Sequence, residues 1–208
     1  MMMEEYLNLF SVSIQVTILE LNVQLLIDYC YEMRQRNVSG VQKTNVGGWH
    51  SDNIINETPH NTEFTKLLDH IEKSANIYHS SIGFKSTYCQ KINDIWININ
   101  SKDHSNEWHV HPMSAFSGAF YLTETTCPIV FRHPYTDITL YYWDTPYIEE
   151  FNEVNSGEMS IEPSPNKLII FPAWLSHKVL PNKENKDRIS FSFNTNFVEK
   201  KDEGQQDG

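Results

Sequence analysis

Residues 107–122 read EWHVHPMSAFSGAFYL, a stretch that joins a pair of histidines to a strand-like apolar run. His109 and His111 are two residues apart, and side chains at that spacing point to the same side of an extended chain. Neutral imidazoles can bind a divalent ion of iron, zinc, copper or nickel. The pattern is typical of half a metal site, but two unconnected histidines would look the same. The rest of the chain must therefore supply the other half.

A third histidine follows a second apolar run. Residues 167–182 read KLIIFPAWLSHKVLPN, in which Pro172 ends a predicted strand and His177 lies in a short turn. A histidine at the mouth of a small barrel can meet the His109 and His111 pair from another strand. A half-buried histidine satisfied by the backbone is the alternative interpretation.

An arginine lies at the start of a strongly alternating strand, residues 188–194, RISFSFN. Its apolar positions predict a face packed outward against helices, and its polar positions predict a face that lines a cavity: Arg188, Ser190, Ser192 and Asn194. A buried arginine is unfavourable unless an anion meets it. Its guanidinium can bind a carboxylate through two parallel hydrogen bonds, with the Ser190 hydroxyl adding a third. A carboxylate of the protein itself is the competing partner.

The periodicity along the chain predicts a mostly β fold with flanking helices. Apolar residues at spacings of three and four predict one helix capped by Asn22 and a second helix after Pro59. Residues 11–18 alternate as in a half-buried strand. Further strands are predicted at 87–100, 115–122, 129–132, 138–143, 167–171 and 188–197. Two helices followed by many antiparallel strands favour a closed or double-sheet β architecture.

Length and composition restrict the class of protein. The chain has 208 residues, which favours one domain over two. A net charge of -11 without a basic patch argues against a nucleic-acid partner. No apolar run is long enough to cross a membrane, and the first residues do not have the pattern of a secretion signal. Three widely spaced cysteines fit a reducing compartment, so we expect a cytoplasmic protein.

Taken in order, these motifs resemble the 2-oxoglutarate- and Fe(II)-dependent oxygenases, and more narrowly a family of such oxygenases found in bacteria and marine phages. The resemblance extends over most of the chain and rests on several motifs: GGWHS at 47–51, HVHP at 109–112, Ser117-Gly118, Tyr121-Leu122, Phe171-Pro172 through His177, and Arg188-Ile189-Ser190 through Phe193-Asn194.

The resemblance implies a double-stranded β-helix, also called a jelly roll or cupin-like fold, with iron at its open end. It implies one domain over residues 1–198, with helices mainly in 20–80, barrel strands mainly in 84–198 and a frayed tail at 199–208. His109 and His177 would bind Fe(II). Arg188 would anchor the distal carboxylate of the co-substrate 2-oxoglutarate, helped by Ser190, and Tyr121 would also reach the co-substrate.

One position departs from the pattern of the wider superfamily, which uses two histidines and one carboxylate. His111 occupies the place where an aspartate or glutamate is expected. The third ligand can be His111, or Glu107 from the same strand face, or water. Spacing favours His111, so the expected metal ligands are His109, His111 and His177.

The implied activity is hydroxylation of a small-molecule or peptidyl substrate, with release of succinate and carbon dioxide. Two other functions fit the same residues. A cupin-like metal dioxygenase with an all-histidine site would not need 2-oxoglutarate, and Arg188 would then hold a carboxylate of the substrate. A jelly-roll binding protein without catalysis would have structural histidines. The resemblance also implies a bacterial cell or a phage-infected host.

Overall fold

The structure, a computed structural model, describes residues 4–57, 62–137, 141, 143 and 145–200. The N-terminal part contains β1 (Gln15–Ile18), α1 (Val23–Arg36), β2 (Asn45–Val46), β3 (Trp49–His50) and α2 (Thr62–Ile82). The remaining strands are β4 (Tyr88–Asn100), β5 (Ser105–His109), β6 (Phe116–Tyr121), β7 (Ile129–Arg132), β8 (Glu158–Ile161), β9 (Lys167–Pro172), β10 (His177–Val179) and β11 (Arg188–Glu199), with a 3₁₀ helix at Thr145–Tyr147. None of the helices in these ranges is both long enough and apolar enough to span a bilayer.

The strands form two antiparallel sheets that pack against each other. One sheet has the order β1-β9-β6-β11-β4-β3, and the other has the order β2-β5-β10-β7-β8. Neighbours in space are distant in sequence, as in a chain that winds back and forth between two sheets. The predicted mostly β, jelly-roll fold with flanking helices is therefore confirmed.

The long strands β4 and β11 are paired from Arg188↔Asn100 to Glu199↔Tyr88. They separate the apolar core under the helices from a cavity between the two sheets. The outer apolar face of β11 packs against α2, where the rings of Phe64 and Phe191 are 5.4 Å apart. The inner polar face of β11 lines a cavity between the sheets. The predicted orientation of residues 188–194 is confirmed.

The helix boundaries follow local sequence signals. Asn22 caps α1, and its side chain accepts a hydrogen bond from the backbone N–H of Leu25 at 3.4 Å, as predicted. The helix ends at Arg36, and the backbone N–H of Asn37 donates to the carbonyl oxygen of Met33 at 3.2 Å. The second helix begins at Thr62, and Pro59 lies outside the described residues.

Several short elements differ from the predictions. The strands β2, β3, β5 and β8 were not predicted, and His177 begins β10 rather than lying in a turn. In β1 the side chains of Val16 and Ile18 are exposed, because β1 is an edge strand whose outer face is not covered. The strand predicted at 138–143 falls mostly outside the described residues. The last strand continues through Glu199, one residue past the predicted domain end, and residues 201–208 are not described.

Gly118 allows three strands to pack closely at the centre of the larger sheet. A Cβ atom added there would overlap the ring of Phe193 and the backbone carbonyl oxygen of Ile169. We expect Gly118→Ala to lower the free energy of unfolding by about 1–3 kcal/mol, the usual effect of overpacking a core. Urea unfolding measures this change. Lys73→Ala, on the exposed face of α2, is the control, with an expected effect within about 0.5 kcal/mol. A Gly118→Ala protein as stable as the control would contradict the close packing.

Candidate metal centre and anion site

Three histidines from three parts of the fold meet in the cavity. His109 ends β5 and His177 begins β10, and the two residues are directly paired in the sheet. His111 follows β5, and its backbone N–H donates to the carbonyl oxygen of Ala173 at 2.9 Å, in the turn between β9 and β10. One potential ligand atom from each histidine lies within 4.8 Å of the other two. Hydrogen bonds of the backbone therefore bring the three imidazoles together.

Hydrogen bonds of Nδ1 in two of the histidines determine which ring nitrogen faces the centre of the cluster. His109 Nδ1 is 2.7 Å from the carbonyl oxygen of Glu107, and His177 Nδ1 is 2.8 Å from that of Leu175. Each Nδ1 therefore carries the proton and donates it, which leaves each Nε2 as a lone-pair ligand. The Nε2 atoms of His111 and His177 are 3.3 Å apart. Two nitrogens bound to one ion at roughly 2.0–2.1 Å have about this separation, so the cluster fits a metal ion.

Burial keeps the imidazoles in the form that binds metal. It lowers the pKa of His111 to about 4 and that of His177 to about 3, with the neighbouring His109 adding to both effects. The pKa of His109 is also lowered by burial, and its hydrogen bond to the Glu107 carbonyl opposes the change. All three rings are therefore neutral at pH 7.

These lowered pKa values predict how the metal-free protein responds to acid. Unfolded histidines take up protons near pH 6.5, while folded His111 and His177 stay neutral until far lower pH. Their contribution to stability is complete above pH 6.5. It is lost as the pH falls from 6.5 towards 4 for His111 and towards 3 for His177, by up to about 1.4 kcal/mol per pH unit for each histidine.

Urea unfolding of the metal-free protein at pH 7, 6 and 5 measures this dependence. The double variant His111→Asn/His177→Asn should show a clearly smaller loss of stability between pH 7 and pH 5. An identical loss in the wild-type protein and the variant would contradict the assignment to these two rings.

Arg188 lies in the wall of the same cavity with its side chain almost fully buried, at 2 % exposure. Its Nε donates to the carbonyl oxygen of Cys127 at 3.1 Å, and its Nη1 donates to Ser190 Oγ at 3.4 Å. Within the described part of the chain, no carboxylate forms an ion pair with it. The described residues therefore do not support the alternative in which a carboxylate of the protein pairs with Arg188. A buried cation without an anion is the feature expected of an anion-binding site.

Tyr121 lies beside this arginine rather than among the residues that line the cavity. Its ring centroid is 5.1 Å from the Arg188 guanidinium, and its buried hydroxyl interacts with that guanidinium without reaching normal hydrogen-bond geometry. Burial raises the pKa of Tyr121 to about 12, with the positive charge of Arg188 acting in the opposite direction. The hydroxyl is therefore protonated and can act as a donor.

The cavity, of about 510 Å³, contains residues that the sequence did not single out. Trp96 stands between two histidines, with ring centroids 5.5 Å from His50 and 5.7 Å from His111. Asp94 lies on the same inner face of β4. Both residues alternate along β4 with the buried Ile95 and Ile97, so the two-residue period of that strand could have predicted their position on the cavity side.

The alternative ligand Glu107 and three tryptophans lie away from the cavity. Trp49 is buried in the core, where its Nε1 donates to the carbonyl oxygen of Asn37 at 2.8 Å, whereas the adjacent His50 lines the cavity. Glu107 is exposed and is not part of the histidine cluster. Trp143 and Trp174 are about half exposed and do not line the cavity.

Comparison with known proteins agrees with this geometry. The model of the family described as "Putative 2OG-Fe(II) oxygenase" matches residues 94–194, which include the three histidines and Arg188. None of the curated protein sequences matches the chain.

Solved structures share the fold at low sequence identity. The carbocyclase SnoK from nogalamycin biosynthesis, described as non-heme and alpha-ketoglutarate dependent, has a TM-score of 0.64 and 11% identity, over 95% of this chain and 85% of SnoK. A Pseudomonas putida prolyl-4-hydroxylase has a TM-score of 0.58 and 13% identity, over 89% and 93%. HygX from Streptomyces hygroscopicus, solved with nickel and 2-oxoglutarate, has a TM-score of 0.58 and 8% identity, over 89% and 83%. At these identities the likeness concerns the fold.

Proposed function

We propose that this protein, whose residues 94–194 belong to the matched 2OG-Fe(II) oxygenase family, is a non-haem iron oxygenase that uses 2-oxoglutarate. The observation that carries the proposal is the convergence on a single cavity of three neutral imidazoles and one buried arginine that forms no ion pair with the described residues. Bound iron would activate dioxygen. The protein would contribute the ligands, the anion site and a sheltered pocket.

His109, His111 and His177 are the proposed iron ligands. The 3.3 Å separation between the Nε2 atoms of His111 and His177 supports His111 as the third ligand. Glu107 is exposed outside the cluster and is the weaker candidate. An all-histidine site has one more positive charge than a site with a carboxylate, and the two negative charges of 2-oxoglutarate offset part of it.

Arg188 is the proposed partner of the distal carboxylate of 2-oxoglutarate. The carbonyl oxygen of Cys127 and the hydroxyl of Ser190 hold the guanidinium in place before the co-substrate arrives. Ser190 is also placed to donate its own proton to the carboxylate. The protonated hydroxyl of Tyr121, whose ring lies beside the Arg188 guanidinium, is the proposed third donor.

The proposed reaction is hydroxylation of a C–H bond in a small-molecule or peptidyl substrate, with formation of succinate and carbon dioxide. The similar structures include a prolyl-4-hydroxylase and a carbocyclase, so the fold allows more than one outcome. We further propose that residues 1–198 act as one domain in the cytoplasm, where three free cysteines would remain reduced.

Anaerobic titration tests this function. Protein purified without oxygen is loaded with Fe(II), and 2-oxoglutarate is added while the visible absorbance is recorded. A metal-to-ligand charge-transfer band that appears with 2-oxoglutarate, followed by succinate formation on exposure to air, is the expected result. Stoichiometric iron binding without the band would instead favour a cupin-like dioxygenase, in which Arg188 holds a carboxylate of the substrate. The absence of iron binding would favour a jelly-roll protein without catalysis.

A further inference from the structure

The cavity has two ends of different chemistry, and the inner face of β11 connects them. Arg188 begins this strand and Asn194 lies six residues further along, which corresponds to roughly 20 Å at about 3.4 Å per residue. Both residues line the cavity. A five-carbon dicarboxylate anchored on Arg188 is much shorter than this distance. The end near Asn194 therefore remains available to a second molecule.

The histidine cluster lies towards the Asn194 end. Backbone hydrogen bonds connect His111 to Ala173 at 2.9 Å, Ala173 to Ala115 at 3.2 Å, and Ala115 to Thr195 at 2.8 Å. Thr195 directly follows Asn194. Trp96 lines the cavity two residues from Asp94, the sheet partner of Asn194, and its ring centroid is 5.7 Å from that of His111. A molecule bound at this end can therefore reach the candidate metal centre, where the molecule to be oxidised must lie.

A negative charge lies at this end. Asp94 is the sheet partner of Asn194, is half-buried and lines the cavity. Its carboxylate accepts hydrogen bonds from Asn53 Nδ2, at 3.0 Å, and from the side-chain amide of Asn93. No lysine or arginine forms an ion pair with it in the described ranges. The carboxylate is thus fixed in position but not neutralised.

The other charges around Asp94 do not cancel its own. Asp52 also lines the cavity and adds a second carboxylate, and His50 has a pKa lowered mainly by burial, so it is neutral at pH 7. Lys43 is the cation on this side of the cavity wall, and its exposed ammonium forms no described ion pair. The chain as a whole has a net charge of -11, which attracts cations.

Asn194 is a second polar group at this end of the cavity. It is 9 % exposed, and its Oδ1 accepts a hydrogen bond from Ser117 Oγ at 2.7 Å. With Oδ1 bonded to Ser117, Nδ2 is the atom of the amide that is left for another partner. The side chain lines the cavity, and among the described residues no acceptor bonds Nδ2. A molecule in the cavity can therefore accept a hydrogen bond from it.

We propose that the molecule oxidised in this cavity carries a cationic nitrogen, an ammonium or guanidinium group, that binds the Asp94 carboxylate, and a neighbouring oxygen that accepts a hydrogen bond from Asn194 Nδ2. This inference rests on the proposed oxygenase function, because it assigns the end of the cavity that 2-oxoglutarate would leave free. Amino acids with basic side chains, their peptides and hydroxylated amines have this chemistry.

Calorimetry with matched pairs of probes tests the charge preference. The cationic probes are L-arginine and L-lysine, and their uncharged counterparts are L-citrulline and L-norleucine. Binding is measured without oxygen, on the metal-free protein and on protein loaded with Fe(II) and 2-oxoglutarate. Asp94→Asn removes the charge and keeps the shape, and Asp69→Asn makes the same change on the exposed surface of α2 as a control.

At least one cationic probe should bind tenfold or more tightly than its uncharged counterpart to the wild-type and Asp69→Asn proteins. Asp94→Asn should remove this preference, and Asn194→Ala should weaken binding of both members of the pair. Equal binding within the pairs, no binding of either cation, or a preference that persists in Asp94→Asn would overturn the inference. The charge-transfer band of the wild-type protein separates the two hypotheses, because it requires iron and 2-oxoglutarate but not Asp94.

Discussion

Replacing His177 with alanine is expected to abolish stoichiometric iron binding. His177 is 4 % exposed, and its Nδ1 donates to the Leu175 carbonyl, so its Nε2 is fixed towards the other two imidazoles. Loss of a residue that merely orients a metal ligand reduces affinity by about 10–100-fold. Loss of the ligand itself should exceed that range. Anaerobic Fe(II) titration, with the metal content of the desalted protein as a second measurement, gives the result.

A matched control shows whether the effect belongs to the site. His70→Ala removes a half-buried histidine from α2, outside the cluster, and should leave iron affinity unchanged. Circular dichroism and urea unfolding show whether His177→Ala is folded. A folded His177→Ala protein that binds iron with the affinity of the His70→Ala protein would exclude His177 as a ligand.

The same titration decides between the candidates for the third ligand. His111→Ala should lose iron as His177→Ala does, whereas Glu107→Gln should bind iron normally because its carboxylate is exposed outside the cluster. His111→Asp offers a carboxylate at the same position and should retain iron, with one positive charge fewer at the site. The opposite result, with iron lost in Glu107→Gln and retained in His111→Ala, would assign the carboxylate as the ligand.

Much of the site could be predicted from sequence because its residues follow strand alternation. The His109 and His111 pair and the polar face of β11 are two-residue patterns, and a strand converts such a pattern directly into a shared face. The long strands β4 and β11 were predicted within two residues of their ends for the same reason. The apolar helix faces were equally readable, since Phe64 and its neighbours repeat at helical spacing.

The features that were missed depend on contacts between distant segments. The strands β2 and β3 have two residues each, and pairing with β5 and β4 forms them, not local propensity. The exposure of Val16 and Ile18 depends on β1 being at the edge of a sheet, which alternation does not reveal. Sequence separation, rather than weak patterning, limited these predictions. Asp94 and Trp96 are the exception, because the two-residue alternation of β4 could have placed them on the cavity face.

Substitution of Arg188 is expected to separate the two halves of the site, because it should remove 2-oxoglutarate binding while sparing iron. Truncating one partner of a buried, hydrogen-bonded charge pair costs about 2–5 kcal/mol, equivalent to roughly 30- to 4,000-fold in affinity. Arg188→Ala should therefore weaken 2-oxoglutarate by at least 30-fold, as measured by titration of the charge-transfer band. Arg188→Lys should recover only part of the loss, since an ammonium cannot make two parallel hydrogen bonds to a carboxylate. Arg132→Ala, an exposed arginine paired with Asp137, should have no effect.

Stability gives a second and independent signature of the same residue. In the absence of an anion, the buried guanidinium of Arg188 is unfavourable, so Arg188→Met should be at least as stable as the wild-type protein when neither contains ligand. Addition of 2-oxoglutarate should stabilise the iron-loaded wild-type protein by about 2.7 kcal/mol at a hundred times its Kd, and should leave Arg188→Met unchanged at that concentration. A purely structural arginine would give the reverse pattern, with Arg188→Met much less stable and 2-oxoglutarate affinity unaffected in the protein that remains folded. The two measurements together therefore distinguish an arginine kept for ligand binding from one kept for the fold.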